Sequence, residues 1–165
     1  MVLTAPSYAG ELEAELAALL SYQLPGGNFP SSVPAGRDRL VQFCHGAPGV
    51  VSSLVSIRTH FPALEARIDE AVRRGRETIR ERGLLTKLPC LCHGISGNAL
   101  ALKWDELEHF LSYTTRAEVR AMEKDGVLER SEQPESLWCG EAGQAWVWAV
   151  ADCELERRFL GYNDI

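Results

Sequence analysis

This chain of 165 residues has no long apolar runs and no excess of positive charge. No apolar stretch approaches the roughly 18 residues that a membrane helix needs, and no basic segment precedes an apolar one at the start. Neither a membrane span nor an export signal is therefore predicted. Its 17 basic residues are outnumbered by 23 acidic ones, which gives a formal net charge of -6. The only Lys/Arg-rich tract is RRGR at 73–76, and this argues against nucleic acid as a partner.

The cysteines do not form an even set. Five cysteines in a chain with no predicted export signal argue against a framework of disulfides. They indicate a reducing compartment, and we expect a cytoplasmic protein. In such a compartment a thiol serves packing, metal binding or catalysis, so the position of each cysteine matters.

Alternating strand patterns are also absent, whereas a Gly-x-x-Gly phrase occurs three times. GAPG lies at 46–49, GISG at 94–97 and GEAG at 140–143, so the first glycines are 48 and 46 positions apart. That spacing is close to the length of one helical hairpin with its loops. Apolar residues at helical spacing follow each phrase, so a mostly buried helix is predicted after each one.

Further helices are predicted at 11–22, after the Phe61-Pro62 break, and at about 115–124. The fold class is all-α, built from repeated helical hairpins with a more apolar inner row. Such hairpins stack into a solenoid or into part of an α/α toroid, with the glycine phrases on one rim. The glycines serve either tight turns and close backbone contacts, or the binding of an anion or thiolate at the helix N-termini.

A Cys-His pair precedes two of the three glycine phrases, as Cys44-His45 and Cys92-His93. Because equivalent positions of neighbouring repeats meet in such a fold, we expect Cys44, Cys92 and His93 to come together. Two thiolates and one imidazole are ligands that zinc uses, and three protein ligands leave a fourth position open. The alternative is two half-buried thiols and a histidine that caps a helix.

The two phrases FCHGAPGV at 43–50 and LCHGISGN at 91–98 resemble the lanthionine synthetase C-like family, the eukaryotic relatives of the bacterial lanthipeptide cyclases. NFPSS at 28–32 and the tail from ESLW through GEAG to GYNDI extend the resemblance over essentially the whole chain. It implies that residues 1–165 form a single partial α/α-toroid domain of about three hairpins, without the family's N-terminal hairpins. It also implies that Cys44, Cys92 and His93 hold zinc.

The resemblance further implies an activity. A zinc-activated thiol, from glutathione or a peptide, would add to dehydroamino acids in peptides or proteins, as in a glutathione transferase or a lanthionine synthetase. His45 would supply the proton that this addition requires, and Lys87 would neutralise negative charge. Arg37 and Arg39 would meet the carboxylates of glutathione. The plainer alternatives are a helix-capping histidine, a surface lysine and solvated loop arginines.

The chain departs from the family pattern in its third motif, where Cys139 replaces an acidic residue. Cys90 is interpreted as a bystander and Cys153 as part of the core. The upstream Asp and His of the cyclases have no counterpart here. The chain is thus either a fragment or a degenerate member that binds metal without turnover, and a partial toroid predicts self-association through an exposed flank.

Two rival functions follow from the same residues. One is a non-catalytic module that binds zinc and glutathione and acts as a scaffold or in signalling. The other is a carbohydrate-active α/α toroid, which requires paired carboxylates on the glycine rim. Only Asp38 and Glu141 lie near that rim in the sequence.

Overall fold

The computed structural model describes residues 6–33, 36–128, 133–153 and 159. Within these residues the chain forms α-helices and short 3₁₀ turns, with no strand beyond one isolated bridge between Gln42 and His45. The all-α class predicted from the sequence is confirmed. The helices are α1 (Ala9–Ser21), α2 (Ala47–Ile57), α3 (Glu65–Arg82), α4 (Ile95–Leu100), α5 (Trp104–Ser112), α6 (Arg116–Lys124) and α7 (Glu141–Asp152).

Three of these helices, α2, α4 and α7, form the inner row. Each begins directly after the first glycine of a Gly-x-x-Gly phrase, so that Gly46, Gly94 and Gly140 are their N-cap residues. Helix α4 packs against both α2 and α7, which places the three glycine phrases side by side at one end of the row. This is the arrangement of helical hairpins in part of an α/α toroid.

The outer helices bury one face each against the inner row. Helix α3 packs on α2 and α1, and α5 packs on α4 and α7. Along α3, Ile68 and Ile79 are completely buried at helical spacing, as the apolar stripe predicts. Burying one such side chain contributes about 1.5–3 kcal/mol. The helix starts after the break at Phe61-Pro62, because proline cannot continue a preceding helix.

The second glycine phrase differs from expectation, because its apolar run is divided between two helices. Helix α4 ends at Leu100, and α5 begins only at Trp104. Two polar contacts account for the break. Arg76 of α3 donates from Nε to the carbonyl oxygen of Ala101 at 2.9 Å, and Glu106 accepts from the backbone N–H of Lys103 at 3.1 Å, which caps the new helix.

The glycines of the three phrases are required by close backbone contacts. A Cβ atom added at the second glycine of each phrase would overlap the carbonyl oxygen of the residue six positions earlier. These pairs are Gly49 with Phe43, Gly97 with Leu91, and Gly143 with Leu137. The first glycines make the same kind of contact, with Leu40, Leu88 and Pro134. Each loop is therefore folded back tightly on its own helix, and only glycine fits there.

No helix in the described ranges is long and apolar enough to cross a membrane.

Candidate metal centre

The three loops that precede the inner helices are joined in series by backbone hydrogen bonds. The N–H of Cys44 donates to the carbonyl oxygen of Cys92 at 3.1 Å, and the N–H of Cys92 donates to the carbonyl oxygen of Trp138 at 2.8 Å. All three residues stand two positions before the first glycine of their phrase. Equivalent positions of the repeats thus lie next to each other, as expected from the sequence.

This pairing gathers the side chains of Cys44, Cys92 and His93. One ligand atom from each residue, the two Sγ atoms and an imidazole nitrogen, lies within 4.8 Å of the other two. Cys44 is exposed, whereas Cys92 and His93 are half-buried. The three ligand atoms are therefore close enough together to be candidates for holding one ion, although the loops are far apart in the sequence. Two sulfurs and one imidazole are a donor set that suits zinc.

Cys44 lies at the tip of a short turn. The backbone groups of Gln42 and His45 pair reciprocally, with both N–H to oxygen distances at 3.1 Å, and Phe43 and Cys44 lie between them. Two side chains of the same turn contact the thiol. Gln42 donates from Nε2 to Cys44 Sγ at 3.2 Å, and His45 Nδ1 lies 3.3 Å from the same sulfur.

The electrostatics around Cys92 disfavour its ionisation when no cation is bound. Burial raises the pKa of the Cys92 thiol to about 12, and the hydrogen-bonded thiol of Cys44 adds to that shift. Burial also raises the pKa of Cys90, which is completely enclosed and is not one of the three grouped ligand residues. Its interpretation as a bystander stays a prediction. A divalent cation reverses such a shift, because it binds the thiolate and releases the proton.

A buried amide anchors the loop that carries Cys44. Asn28, from the NFPSS segment, is completely buried. Its Oδ1 accepts from the N–H of Ala47 at 2.8 Å, and its Nδ2 donates to the carbonyl oxygen of Leu40 at 3.0 Å and to Asp38 at 2.8 Å. Hydrogen bonds from Asn28 and from Arg82 lower the pKa of Asp38. Asp38 therefore serves to hold the loop, and this argues against the carbohydrate-active alternative.

A cleft of about 410 Å³ opens beside Cys44 and His45. Its walls come from helix α1, from the NFPSS segment and from the first two turns of α2. The residues that contact it include Leu19, Phe29, Pro30, Phe43, Val50 and Ser53. Cys44 is thus part of the wall of a cleft that is open to solvent.

Three other predicted site residues lie on the loops that lead to Cys44 and Cys92. Lys87 is half-buried in the loop between α3 and α4, five positions before Cys92. Arg37 and Arg39 are exposed on the loop that leads to Cys44. The roles predicted for these three residues and for His45 remain predictions.

The remaining cysteines are placed differently from one another. All five are free thiols. Cys139 is half-buried and stands directly before its first glycine, the position that His93 and His45 occupy in the other two loops. Cys153 is exposed at the end of α7, so its interpretation as a core residue is wrong. It ends a helix whose buried face is formed by Gly143, Val147 and Val150, which leaves position 153 outside.

Sequence reasoning missed two residues of this site, Gln42 and Asn28. Both are buried amides whose importance comes from the chain that they contact in three dimensions. Asn28 lies in NFPSS, a segment that carried the family resemblance, and that was the one available indication of its importance.

Comparison with known proteins shows the family to which the chain belongs. The family described as lanthionine synthetase C-like protein matches residues 6–109, and the chain belongs to this family. Similar relatives include the glutathione S-transferase LANCL1 of Danio rerio, which is 42% identical over 77 residues. The LanC-like protein GCL1 of Arabidopsis thaliana is 28% identical over 165 residues.

The chain is much shorter than these relatives. The match to the Danio rerio protein covers 47% of this chain and 18% of that protein. The match to the Arabidopsis thaliana protein covers 93% of this chain and 37% of that protein. The family assignment therefore applies to the chain, whereas activity, substrates and partners of the longer proteins have to be argued separately.

Proposed function

We propose that Cys44, Cys92 and His93 hold a zinc ion and that the centre activates a thiol for conjugate addition to dehydroamino acids. The observation that supports this most directly is the approach of the three ligand atoms to within 4.8 Å of one another, next to a cleft. Three protein ligands are the number found in catalytic zinc sites, where the fourth position takes water or substrate. A zinc ion so held would bind the incoming thiol and lower its pKa.

Glutathione is the co-substrate that we propose, and a peptide thiol is the alternative nucleophile. The name of the Danio rerio relative, a glutathione S-transferase, favours glutathione. The cysteine sulfur of glutathione forms a bond to the β-carbon of dehydroalanine or dehydrobutyrine in a peptide or protein. The electron pair of the C=C bond moves toward the adjacent carbonyl group and gives an enolate. The α-carbon of this enolate then takes up one proton.

His45 is our candidate for the proton donor. Its ring is exposed beside the cleft, and Nδ1 faces the sulfur of Cys44, so Nε2 is the nitrogen available to a substrate. Imidazole titrates near neutral pH, which suits it for proton transfer. We assign Lys87 to the neutralisation of enolate or carboxylate charge. The exposed guanidinium groups of Arg37 and Arg39 are assigned to the carboxylates of glutathione.

Metal analysis of the purified chain, followed by an activity assay, tests the proposal. We expect elemental mass spectrometry to find one zinc per chain. We also expect the activity assay to yield a glutathione adduct of a dehydroalanine peptide. Replacing Cys44, Cys92 or His93 by alanine should abolish both, while Cys153→Ala, which changes an exposed thiol outside the site, should retain both. Zinc binding that survives Cys44→Ala and Cys92→Ala would contradict the assignment of ligands.

A zinc-binding and glutathione-binding module without turnover is the second candidate. Stoichiometric zinc and glutathione binding with no adduct would support this candidate. Both candidates suit the reducing cytoplasm, where the thiols of the site stay reduced.

A further inference from the structure

The turn around Cys44 contains a residue, Gln42, to which the predicted ligand set gives no role. We propose that Gln42 is a positioning residue that directs the Cys44 sulfur toward Cys92 and His93 and thereby strengthens metal binding. This inference rests on the proposed function, because it concerns the same centre. The contact on which it depends is the hydrogen bond that Nε2 of Gln42 donates to Sγ of Cys44, at 3.2 Å.

The main chain at Cys44 is already fixed without this contact. The reciprocal backbone pair of Gln42 and His45 closes the turn, and the N–H of Cys44 is bonded to Cys92. The carbonyl group of Phe43 lies against Gly49 in the first turn of α2. The Cys44 side chain is exposed, so its rotation depends on the few groups that contact the sulfur.

Besides the thiol of Cys92, two side chains of the turn contact the Cys44 sulfur, and they differ in how firmly they are held. The ring of His45 is exposed. Gln42 is only 7% exposed, so its side-chain amide is held in place. The N–H groups of a buried amide have to donate to acceptors nearby. A buried, immobile donor is the more effective guide for an exposed sulfur. The corresponding position of the second loop, four before the first glycine, is occupied by Cys90, so Cys92 has no amide donor there.

Hydrogen bonds to a ligand atom orient it before the metal arrives. When such a partner is lost, the ligand samples other rotamers, and metal affinity typically falls about 10–100-fold. A hydrogen bond also stabilises the filled orbitals of a thiolate sulfur. Its loss should therefore lower the energy of the sulfur-to-metal charge-transfer band when Co²⁺ is used as a spectroscopic probe.

The first arm of the test compares Gln42→Met and Gln42→Asn with the wild-type chain in Zn²⁺ competition titrations and Co²⁺ spectra. Methionine keeps the length without the donor, and asparagine keeps the amide but is one carbon too short to reach Sγ. We expect both variants to bind Zn²⁺ about 10–100-fold more weakly and to shift the charge-transfer band to longer wavelength. Gln144→Met is the matched control, because Gln144 donates to the carbonyl of Thr114, away from the centre.

The second arm needs neither metal nor a Gln42 variant. In the metal-free chain, the side-chain amide protons of Gln42 are followed by NMR before and after Cys44→Ala. We expect their resonances to shift and their protection from solvent exchange to be lost. Unchanged amide protons would show that Gln42 does not hold the sulfur and would overturn the inference, also if the Gln42 variants fail to fold.

The outcomes separate this inference from the proposed function. A wild-type chain that binds no zinc contradicts the proposed function, while the NMR arm still decides whether Gln42 holds Cys44. Wild-type binding with unchanged affinity in Gln42→Met and Gln42→Asn overturns the role of Gln42 alone. An equal loss in Gln144→Met would trace the effect to general destabilisation and overturn it as well.

Discussion

The backbone N–H of Cys44 donates to the carbonyl oxygen of Cys92 at 3.1 Å and links two loops that are distant in the sequence. The bond joins the main chains of the two sulfur-bearing residues, so the approach of the side chains follows from the repeat itself. A metal ion would therefore meet a site whose backbone is assembled beforehand. Such preorganisation lowers the cost of binding, because little further ordering is required.

We predict that His45→Gln lowers the rate of glutathione addition without loss of metal. A positioned acid contributes about 10²–10⁴-fold to such reactions, and we expect a reduction in that range in kcat. Zinc content should stay at the wild-type level, since His45 is not one of the three ligands. His60→Gln, an exposed histidine in the turn after α2, is the control and should keep full activity. Full activity of His45→Gln would show that His45 is not the proton donor.

Replacing Gly49 by alanine should destabilise the chain by about 3 kcal/mol, because the added methyl group meets the main chain of Phe43 rather than a movable side chain. The free energy of unfolding from urea titration measures this. Gly10→Ala is the matched control: it lies exposed in α1 with nothing near its added methyl group, and it should stabilise the chain by about 0.5 kcal/mol. Equal stability of the two variants would contradict the close contact.

Asn28→Ala should cost about 2 kcal/mol of unfolding free energy, because the buried N–H of Ala47 and the carbonyl of Leu40 lose their partner. Asn28→Asp keeps the acceptor for Ala47 but places a second carboxylate beside Asp38. That variant should be least stable at neutral pH and should regain stability as the pH falls and the new carboxylate is protonated. Denaturation at several pH values distinguishes the two variants, and identical pH profiles would contradict this account.

The metal-free chain should lose stability in alkali. The pKa of Cys92 is raised in the folded state from 9.0 to about 12. The unfolded chain therefore gives up this proton first, and stability falls as the pH rises from 9 toward 12. Cys92→Ser removes this titration, so its stability should fall less over the same range, while Cys153→Ser should follow the wild type. Thermal or urea denaturation under reducing conditions gives the profiles, and parallel curves for Cys92→Ser and the wild type would refute the shift.

The sequence was sufficient for those features that depend on local patterns. Proline at position 62, the apolar stripe with Ile68 and Ile79, and the glycine phrases predict helices and their ends, and the structure has them there. The meeting of Cys44 with Cys92 and His93 could be predicted as well, because a repeat places equivalent positions side by side. That prediction needed no knowledge of individual contacts.

Features that depend on contacts between distant side chains could not be predicted in this way. The division of the second inner helix comes from Arg76, which bonds to Ala101 from another helix. Gln42 and Asn28 are ordinary polar residues in the sequence, and only the folded chain shows them buried and bonded to the loop of Cys44. The exposure of Cys153 likewise depends on where α7 ends.

In each phrase the close contact between a glycine and a backbone carbonyl fixes the backbone of the loop, but it does not fix which side chains the loop carries. The main chain is set by residues that have no side chain, so the two positions before the first glycine are free to differ. They hold Cys-His in the first two loops and Trp-Cys in the third, on the same frame. Reactive side chains at these two positions can thus differ from loop to loop, while the stack of helices beneath them keeps the same backbone.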